Sequence, residues 1–316
     1  MLVRVTHLTD YRYSQPVAEA YLELRLSPPE RDTQKVGRHH LVLVPAAKIS
    51  EYQDYFGNRV SFVSLPYRHS RLTIRSDALI ETRAMSLPDR SLDLSVQETR
   101  QILTAALPFV FDYLQPTEMV KTGKEPMQWA KRYLSGRALL RQGLESLMQG
   151  IYENFKYRKG ATDFSTDLSI IWRDRIGVCQ DFAHIMLSVL RTAGLPSRYI
   201  CGYIETAAPS DANGEKLVGS LATHAWVEVL LPGQVWVALD PTNNRWCGEQ
   251  HVSVSFGRDA SDAAPIRGTF KGAGSQSMKV HVKMRRLRKA ANVKKFPIER
   301  IAGSTEAPDA GDETKG

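Results

Sequence analysis

Cysteine is scarce in this chain, which has three cysteines among 316 residues. An odd and small number of cysteines cannot build a disulfide framework and is typical of a reducing compartment, so we expect a cytoplasmic protein. No stretch reaches the ~18 consecutive apolar residues of a membrane span. The first residues lack the basic segment followed by an apolar segment that marks a signal peptide. We therefore expect neither a secreted nor a membrane-inserted protein.

The composition is that of a folded globular protein. Hydrophobic residues make up 42% of the chain and charged residues 24%, which is too much apolar content for a disordered chain. At about 100–200 residues per domain, the length predicts two or three domains. The 42 Lys and Arg residues outnumber the 34 Asp and Glu residues, which gives a net charge of +8. A surplus of this size can indicate an anionic partner.

The first 95 residues predict an antiparallel β-sandwich domain. Apolar and polar residues alternate in several short runs, as in Leu22, Leu24 and Leu26, which is the pattern of half-buried strands. Turn signals such as DYFGN at 54–58 separate the runs and favour short strands joined by tight connections. Residue types with catalytic chemistry are scattered here, so we assign this domain a structural or substrate-framing role.

The rest of the chain predicts an α+β fold. Residues 96–150 have helical composition and lead into a core domain over 151–300. Residues 301–316 lack apolar periodicity and predict a disordered tail.

A cysteine stands at the predicted start of a helix in the core. In GVCQDFAH, Cys179 precedes apolar residues at helical spacing, and Gly194 with Pro196 ends that helix. The positive end of a helix stabilises a thiolate. Gly177 is expected to allow a tight turn before the cysteine. The alternative interpretation of Cys179 is a buried free thiol, which is common for cysteine.

A hairpin follows, whose second strand is predicted over 235–243. If residues 232–234 form the loop, His224 lies opposite Thr242. His224 and Asp240 then become diagonal neighbours on one face, with Cβ atoms roughly 7–8 Å apart or less. A nucleophilic cysteine needs a base, and that base needs an orienting group. The chain supplies a cysteine, a histidine and an aspartate in that order.

These segments resemble the bacterial transglutaminase-like, papain-like cysteine-protease-like family. The specific motifs are GVCQDFAHIMLSVLRTAGLPSRYICGY and THAWVEVLLPGQVWVALDPTN. The resemblance covers roughly residues 1–290, including the N-terminal β-domain, and implies a helix bearing the cysteine packed on an antiparallel sheet bearing the histidine and aspartate. It implies Cys179 as nucleophile, His224 as base and acid, and Asp240 as orienting group, in acyl transfer from an amide through a thioester.

The acceptor of the acyl group stays open between water and an amine. Eukaryotic-type transglutaminases carry Trp directly after the nucleophile, where this chain has Gln180, which argues against protein cross-linking. We expect a cysteine hydrolase or peptidase acting on peptide or protein amides. The alternatives are an amine acyltransferase, such as a protein-glutamine transglutaminase, and a non-enzymatic binding protein on this fold.

Three further residues are candidates near the site. Gln180 can donate its amide to a developing oxyanion or form a local hydrogen bond in the first turn. His184 can support the site or pack inside the helix, and Trp226 can wall a substrate channel or belong to the core. The cysteines and histidines lack metal-ligand spacing, so we expect neither a metal nor a cofactor.

The positive charge is concentrated near the C-terminus. Residues 279–295 (KVHVKMRRLRKAANVKK) hold eight Lys and Arg residues and no acidic residue, so the rest of the chain sums to 8 − 8 = 0. The segment begins with strand-like alternation, and Phe296 is the nearest aromatic residue. We therefore expect no specific nucleic-acid binding, although the segment suits contact with an anionic partner. A polar stretch at 211–219 predicts a flexible loop that borders the site.

Overall fold

The computed structural model describes residues 1–205 and 223–287. The predicted loop at 211–219, the tail at 301–316 and part of the basic segment, 288–295, lie outside the described residues. Within the described ranges, no helix is both long and apolar enough to cross a bilayer.

The elements alternate between β-rich and helical regions. The N-terminal strands are β1 (Leu2–Val17), β2 (Glu19–Leu24), β3 (Gln34–Val44), β4 (Lys48–Gln53), β5 (Arg59–Leu65) and β6 (His69–Thr82). The helices are α1 (Asp89–Leu92), α2 (Val96–Leu103), α3 (Leu107–Val110), α4 (Lys124–Tyr133), α5 (Leu140–Asn154), α6 (Leu168–Asp174) and α7 (Cys179–Thr192), with 3₁₀ turns at Thr104–Ala106 and Phe111–Leu114. The later strands are β7 (Lys156–Tyr157), β8 (Ile176–Gly177), β9 (Ser197–Ile204), β10 (His224–Leu231), β11 (Val235–Asp240), β12 (Arg245–Trp246), β13 (His251–Gly257), β14 (Ile266–Lys271) and β15 (Gln276–Arg286).

The N-terminal region is an antiparallel β-sandwich, as its alternating pattern predicts. One four-stranded sheet has the order β15-β1-β6-β3 and the other the order β14-β2-β5-β4. The inward residues Leu22, Leu24, Leu72 and Ile74 form a common core between the sheets. Burial of this apolar surface on one side of each strand explains the period of two.

The last two described strands belong to this sandwich, which differs from their expected place in the 151–300 core. β14 pairs with β2, and β15 pairs with β1 along eleven residues. The buried Val282 packs in one apolar cluster with Val3 and Val5. β1 is sixteen residues long, and an unpaired strand of that length would expose a row of backbone groups. β15 covers that edge of β1.

The core is a five-stranded antiparallel sheet of order β12-β11-β10-β9-β13 with α7 packed on one face. Helix α7 is buried along most of its length, and it packs against the β10 residues Ala225, Val227 and Val229. Gly194 ends the helix with φ +77, as the sequence predicts. Alternate β10 residues face the opposite side of the sheet, where Glu228 accepts a hydrogen bond from Arg31 of the N-terminal region and Leu230 packs against Leu103 and Val110.

Two side-chain amides from the sandwich cap the edge strand β13. Gln34 donates to the Ser253 carbonyl at 2.9 Å and accepts from the Ser253 N–H at 2.9 Å. Asn58 does the same for Phe256, donating at 2.7 Å and accepting at 2.9 Å. Each amide thus takes the place of a neighbouring strand, satisfies buried backbone groups and fixes the sandwich against the core.

Candidate active site

Cys179 is the first residue of α7, where the sequence predicts it. The helix start is fixed by the buried Asp181, whose carboxylate accepts the Val178 N–H at 2.8 Å and the Thr162 hydroxyl at 2.6 Å. A Cβ on Gly177 would lie 2.8 Å from this carboxylate. Gly177 is therefore required by the close approach of a side chain, whereas the sequence suggested a tight turn.

Cys179 differs from the other two cysteines in its access to solvent. It is half-buried, while Cys201 and Cys247 are buried. Burial raises the pKa of Cys201 to about 12 and holds the pKa of Cys247 well above its usual value. A thiolate is the reactive form of cysteine, so these two thiols are inert near neutral pH. Cys179 also lies at the positive end of α7, which favours a negative charge on its sulfur.

His224 and Asp240 meet at the end of the β10–β11 hairpin. Leu231 pairs with Val235, the register that a three-residue loop predicts, so His224 and Asp240 share one face. His224 Nε2 lies 2.8 Å from Asp240 Oδ2, and both side chains are fully buried. The diagonal contact expected from the sequence is present.

The second strand of the hairpin is shorter than the predicted 235–243 and ends at Asp240. The Asp240 Oδ1 atom accepts the backbone N–H groups of Thr242 at 3.0 Å and Asn243 at 3.2 Å. These bonds turn the chain immediately after the strand, as aspartate side chains commonly do, so Thr242 lies in a turn rather than opposite His224.

The imidazole of His224 interacts with both an acid and a thiol. Burial disfavours its charged form, but the Asp240 carboxylate and then the Cys179 side chain outweigh burial and raise the pKa of His224 to about 10. Nε2 is occupied by Asp240, and Nδ1 has no other hydrogen-bond partner among the described residues. Nδ1 is therefore the nitrogen left for Cys179. Burial acts against ionised Asp240, but His224 and His251 hold the pKa of this carboxyl well below its usual range.

Two partners of Asp240 did not emerge from the sequence as site residues. Asn243 donates its side-chain amide to Oδ2 at 2.7 Å. His251 places Nε2 at 3.2 Å from the same oxygen. Asn243 follows in the DPTN motif, which is the signal that could have identified it. His251 begins β13 on the far edge of the sheet, and no local pattern connects that strand to Asp240.

The other sequence candidates have different environments. Gln180 is half-buried in the first turn of α7. His184 is buried, accepts the Ala260 N–H at 3.2 Å and has its pKa lowered to about 3 by burial, which fits a packed neutral histidine. Trp226 is 1% exposed and lies with its ring centroid 6.0 Å from His224. Trp226 therefore packs against the imidazole.

Gly202 makes room for this tryptophan. A Cβ at Gly202 would lie 2.4 Å from the Trp226 ring and 2.1 Å from the Val252 carbonyl.

Among the described residues, His224, Asp240 and His251 form a group with one possible metal-ligand atom each, all within 4.8 Å of one another. Imidazole and carboxylate groups are common metal ligands. Here the two imidazoles contact the same carboxylate oxygen, so hydrogen bonds account for the proximity of the three groups.

Two parts of the chain match known protein families. Residues 128–241 match the transglutaminase-like superfamily, and residues 3–81 match the bacterial transglutaminase-like N-terminal region. An uncharacterized protein of Mycobacterium tuberculosis is 36% identical over 279 residues, which span 84% of this chain and 86% of that protein. The chain belongs to the transglutaminase-like superfamily and carries the N-terminal region typical of its bacterial members.

Two further similarities are partial or distant. The crystal structure of a proposed cysteine protease from Cytophaga hutchinsonii superimposes with a TM-score of 0.68 at 20% identity, covering 92% of each chain; it shows that the whole fold is shared. A segment of 83 residues, 26% of this chain, is 39% identical to 11% of the protein-glutamine gamma-glutamyltransferase of Pseudomonas aeruginosa.

Proposed function

We propose that the protein is a cysteine-dependent amide hydrolase or peptidase that acts through an acyl-thioester on Cys179. The observation that carries this proposal is the buried His224–Asp240 pair at 2.8 Å, whose remaining imidazole nitrogen is left for a half-exposed thiol at a helix N-terminus. In this proposal Cys179 is the nucleophile, His224 moves the proton and Asp240 orients the imidazole.

The first step forms the thioester. The Cys179 thiolate attacks the carbonyl carbon of the amide, and the proton from its thiol is held on His224 Nδ1. When the C–N bond breaks, the imidazolium gives that proton to the departing amine. Asp240 accepts the Nε2–H bond throughout and stabilises the imidazolium charge, which agrees with the raised pKa of His224.

The developing oxyanion needs donors close to the nucleophile. Cys179 begins α7, so its backbone N–H has no acceptor within the helix and is one proposed donor. The Gln180 amide is the second proposed donor. In the last step water attacks the thioester, His224 takes one proton from that water, and the C–S bond breaks to release the acid and regenerate the thiol.

A labelling experiment tests this proposal. We expect iodoacetamide at neutral pH to modify Cys179 far faster than Cys201 or Cys247, because those two thiols are buried with raised pKa values. The matched control is Cys201→Ala, which should leave the labelling rate of Cys179 unchanged. Equal reactivity of the three thiols, or amide cleavage that survives Cys179→Ala, would favour a non-enzymatic binding role or another mechanism.

Amine transfer is the second candidate, favoured by the 83-residue similarity to a protein-glutamine gamma-glutamyltransferase. The two reactions share the thioester and differ only in the group that attacks it. Casein incubated with the enzyme and a fluorescent primary amine separates them. Free acid without incorporated amine is expected of the hydrolase, whereas incorporation without hydrolysis would replace it with the acyltransferase.

For the substrate we propose a protein with an acidic surface. The basic residues Lys279, Lys283 and Arg285 are exposed on β15. Opposite charges increase the rate of encounter and are screened by salt. Charge reversal by Lys279→Glu with Lys283→Glu should raise KM for succinylated casein more than for casein, and Lys131→Glu on the exposed side of α4 serves as the control. Equal KM values in both variants would contradict this proposal.

A further inference from the structure

One buried histidine beside the site has no part in the proposed mechanism. His251 is the first residue of β13, and its side chain is 3% exposed. It lies 3.2 Å from Asp240 Oδ2 through Nε2, and its ring is T-shaped against Trp226 with the centroids 5.3 Å apart. Packing against Trp226 alone does not require a polar ring, so the hydrogen bond to Asp240 is the contact that calls for a histidine at this position.

The other nitrogen of His251 fixes the position of its proton. The backbone N–H of Gly248 points at Nδ1 from 3.3 Å. A backbone N–H can only donate, so Nδ1 must accept and the ring proton must sit on Nε2. His251 therefore donates to Asp240. Burial lowers the pKa of His251, which agrees with a neutral ring in this tautomer.

The hydrogen bonds of Asp240 hold both of its oxygens. Oδ1 accepts two backbone N–H groups from the following turn. Oδ2 faces His224, Asn243 and His251. Since His251 approaches from another strand, it restrains the carboxylate from a direction that the turn does not supply. Removing the His251 donor would let the carboxylate move and would weaken the hydrogen bond between Oδ2 and His224.

The β-sandwich holds His251 in place. The Thr82 hydroxyl donates to the Glu249 carbonyl at 2.7 Å, two residues before the histidine. Gln34 caps Ser253, two residues after it. Both contacts come from the N-terminal region, so the start of β13 is located by the sandwich and not by the core sheet alone.

We propose that His251 is a positioning residue that orients Asp240 toward His224 and makes the N-terminal β-sandwich part of the active-site scaffold. This inference rests on the proposed function of Cys179, His224 and Asp240. It assigns the sandwich a role in setting the site geometry, in addition to any contact with substrate.

The charged groups around His251 determine how the pH dependence of Cys179 labelling is interpreted. The charged and titratable groups that act on it are Asp240 from β11, His224 from β10 and Arg245 from β12. Of these three groups, His224 is the one whose pKa is raised by both Asp240 and Cys179. A shift in the pH dependence of Cys179 labelling therefore reports the His224–Asp240 interaction.

The first test uses the unmodified protein. Two-bond ¹H–¹⁵N correlation NMR should show His251 as the Nε2–H tautomer, which a Nδ1–H tautomer would overturn. This measurement requires no substrate and no substitution, so its result stands even if the protein catalyses no amide cleavage.

The second test compares two substitutions. His251→Phe keeps a ring against Trp226 but removes the donor, whereas His251→Gln can present an amide N–H at the same place. We expect His251→Phe to slow iodoacetamide labelling of Cys179 at neutral pH by roughly tenfold or more, the scale of losing one hydrogen bond to a charged group. The pH of half-maximal labelling should move upward, because a loosely held Asp240 stabilises the imidazolium less.

His251→Gln is expected to label Cys179 faster than His251→Phe and close to the unmodified rate, since it retains the donor. His69→Phe is the control for loss of a buried histidine elsewhere, because His69 contacts the Tyr67 carbonyl and the Tyr13 ring within the β-sandwich. Equal losses for the Phe and Gln variants, or an unchanged pH profile in folded His251→Phe, would overturn the positioning role. Failure of the proposed function would instead appear as unreactive Cys179 in the unmodified protein.

Discussion

Two buried carboxylates on the same face of the core sheet have different surroundings. Glu228 on β10 is paired with two guanidinium groups, Arg31 at 2.5 Å and Arg198 at 2.7 Å. Asp240 on β11 is surrounded by imidazole, amide and backbone N–H donors. Both carboxyl groups have pKa values below their usual range, although burial alone would raise them.

The two carboxylates differ in whether their partner residue can transfer a proton. The arginines beside Glu228 keep their protons at all ordinary pH values, so this cluster is a closed ion-pair network that joins the sandwich to the core. The partner of Asp240 is a histidine with a second nitrogen, which can pass a proton to another group. A low carboxyl pKa therefore marks both a structural and a candidate catalytic site, and the partner residue distinguishes them.

The largest expected effect follows from Asp240→Asn. An asparagine presents an amide N–H or a neutral oxygen to His224, so the tautomer and the imidazolium lose their support. We expect acylation of Cys179 by peptide amides to fall about 10⁴-fold, as for loss of the orienting acid in other triads. Mass spectrometry of the acyl-enzyme measures this rate. Near-normal acylation in a variant with unchanged circular dichroism would remove Asp240 from the mechanism.

Glu228→Ala should instead reduce stability. It leaves Arg31 and Arg198 without their buried partner, which costs about 3–5 kcal/mol in the free energy of unfolding. Urea unfolding measures the loss, and the folded fraction should label at Cys179 at the normal rate. Glu228→Gln, which keeps the shape, provides a milder variant in case the alanine protein does not fold. Slow labelling with unchanged stability would reverse the assignment of the two carboxylates.

The pH dependence of the free energy of unfolding distinguishes the contribution of the buried histidines from that of the carboxylates without any substitution. Burial lowers the pKa of His7 to about 4 and that of His184 to about 3. In the unfolded chain these histidines gain protons near the ordinary value of 6.5, so below it unfolding takes up protons. The free energy of unfolding should fall by about 1.4 kcal/mol per pH unit for each histidine between pH 6.5 and 4.

Both carboxyl pKa values are lowered in the folded protein, so the two carboxylates add to that slope only as pH falls through their unfolded-chain values of 4.5 for Glu228 and 3.8 for Asp240. Denaturant titrations at several pH values test this, with His184→Gln expected to flatten the slope by the share of one histidine. A slope that begins only below pH 4 would show that these histidines are not buried in their neutral form.

The smallest expected effect concerns the Gln34 amide, which caps β13 and holds this strand to the sandwich. Gln34→Ala leaves the N–H and carbonyl of Ser253 without partners, which costs about 1–3 kcal/mol. Gln53→Ala is the control, because Gln53 makes an exposed bond to Gly57 and should cost far less. Equal unfolding free energies for the two variants would mean that the amide cap on β13 adds no stability.

Much of the architecture follows from local patterns. The alternation in β1 and β2, the apolar spacing of α7 and the glycine that ends it are all visible in the sequence and all present in the structure. Local hydrogen bonding and the burial of one face impose these periods. The hairpin loop of three residues likewise sets the register that brings His224 beside Asp240.

Long-range pairing was not predictable in this way. The return of β14 and β15 to the sandwich depends on which strand edges remain uncovered, and no local period reports that. The same holds for His251, which reaches Asp240 from a strand at the far edge of the sheet. The need for glycine at position 177 was also not predictable, because the Asp181 carboxylate approaches it only once α7 has formed.

The sequence by itself determined the elements, the α+β class, the family and the order of Cys179, His224 and Asp240 along the chain. These properties depend on neighbours a few residues apart or on a single hairpin register. Only the tertiary structure decided which carboxylate meets arginine and which meets histidine, and which histidine restrains Asp240. Those contacts join strands separated by many residues, and their geometry exists only when the sandwich and the core are packed together.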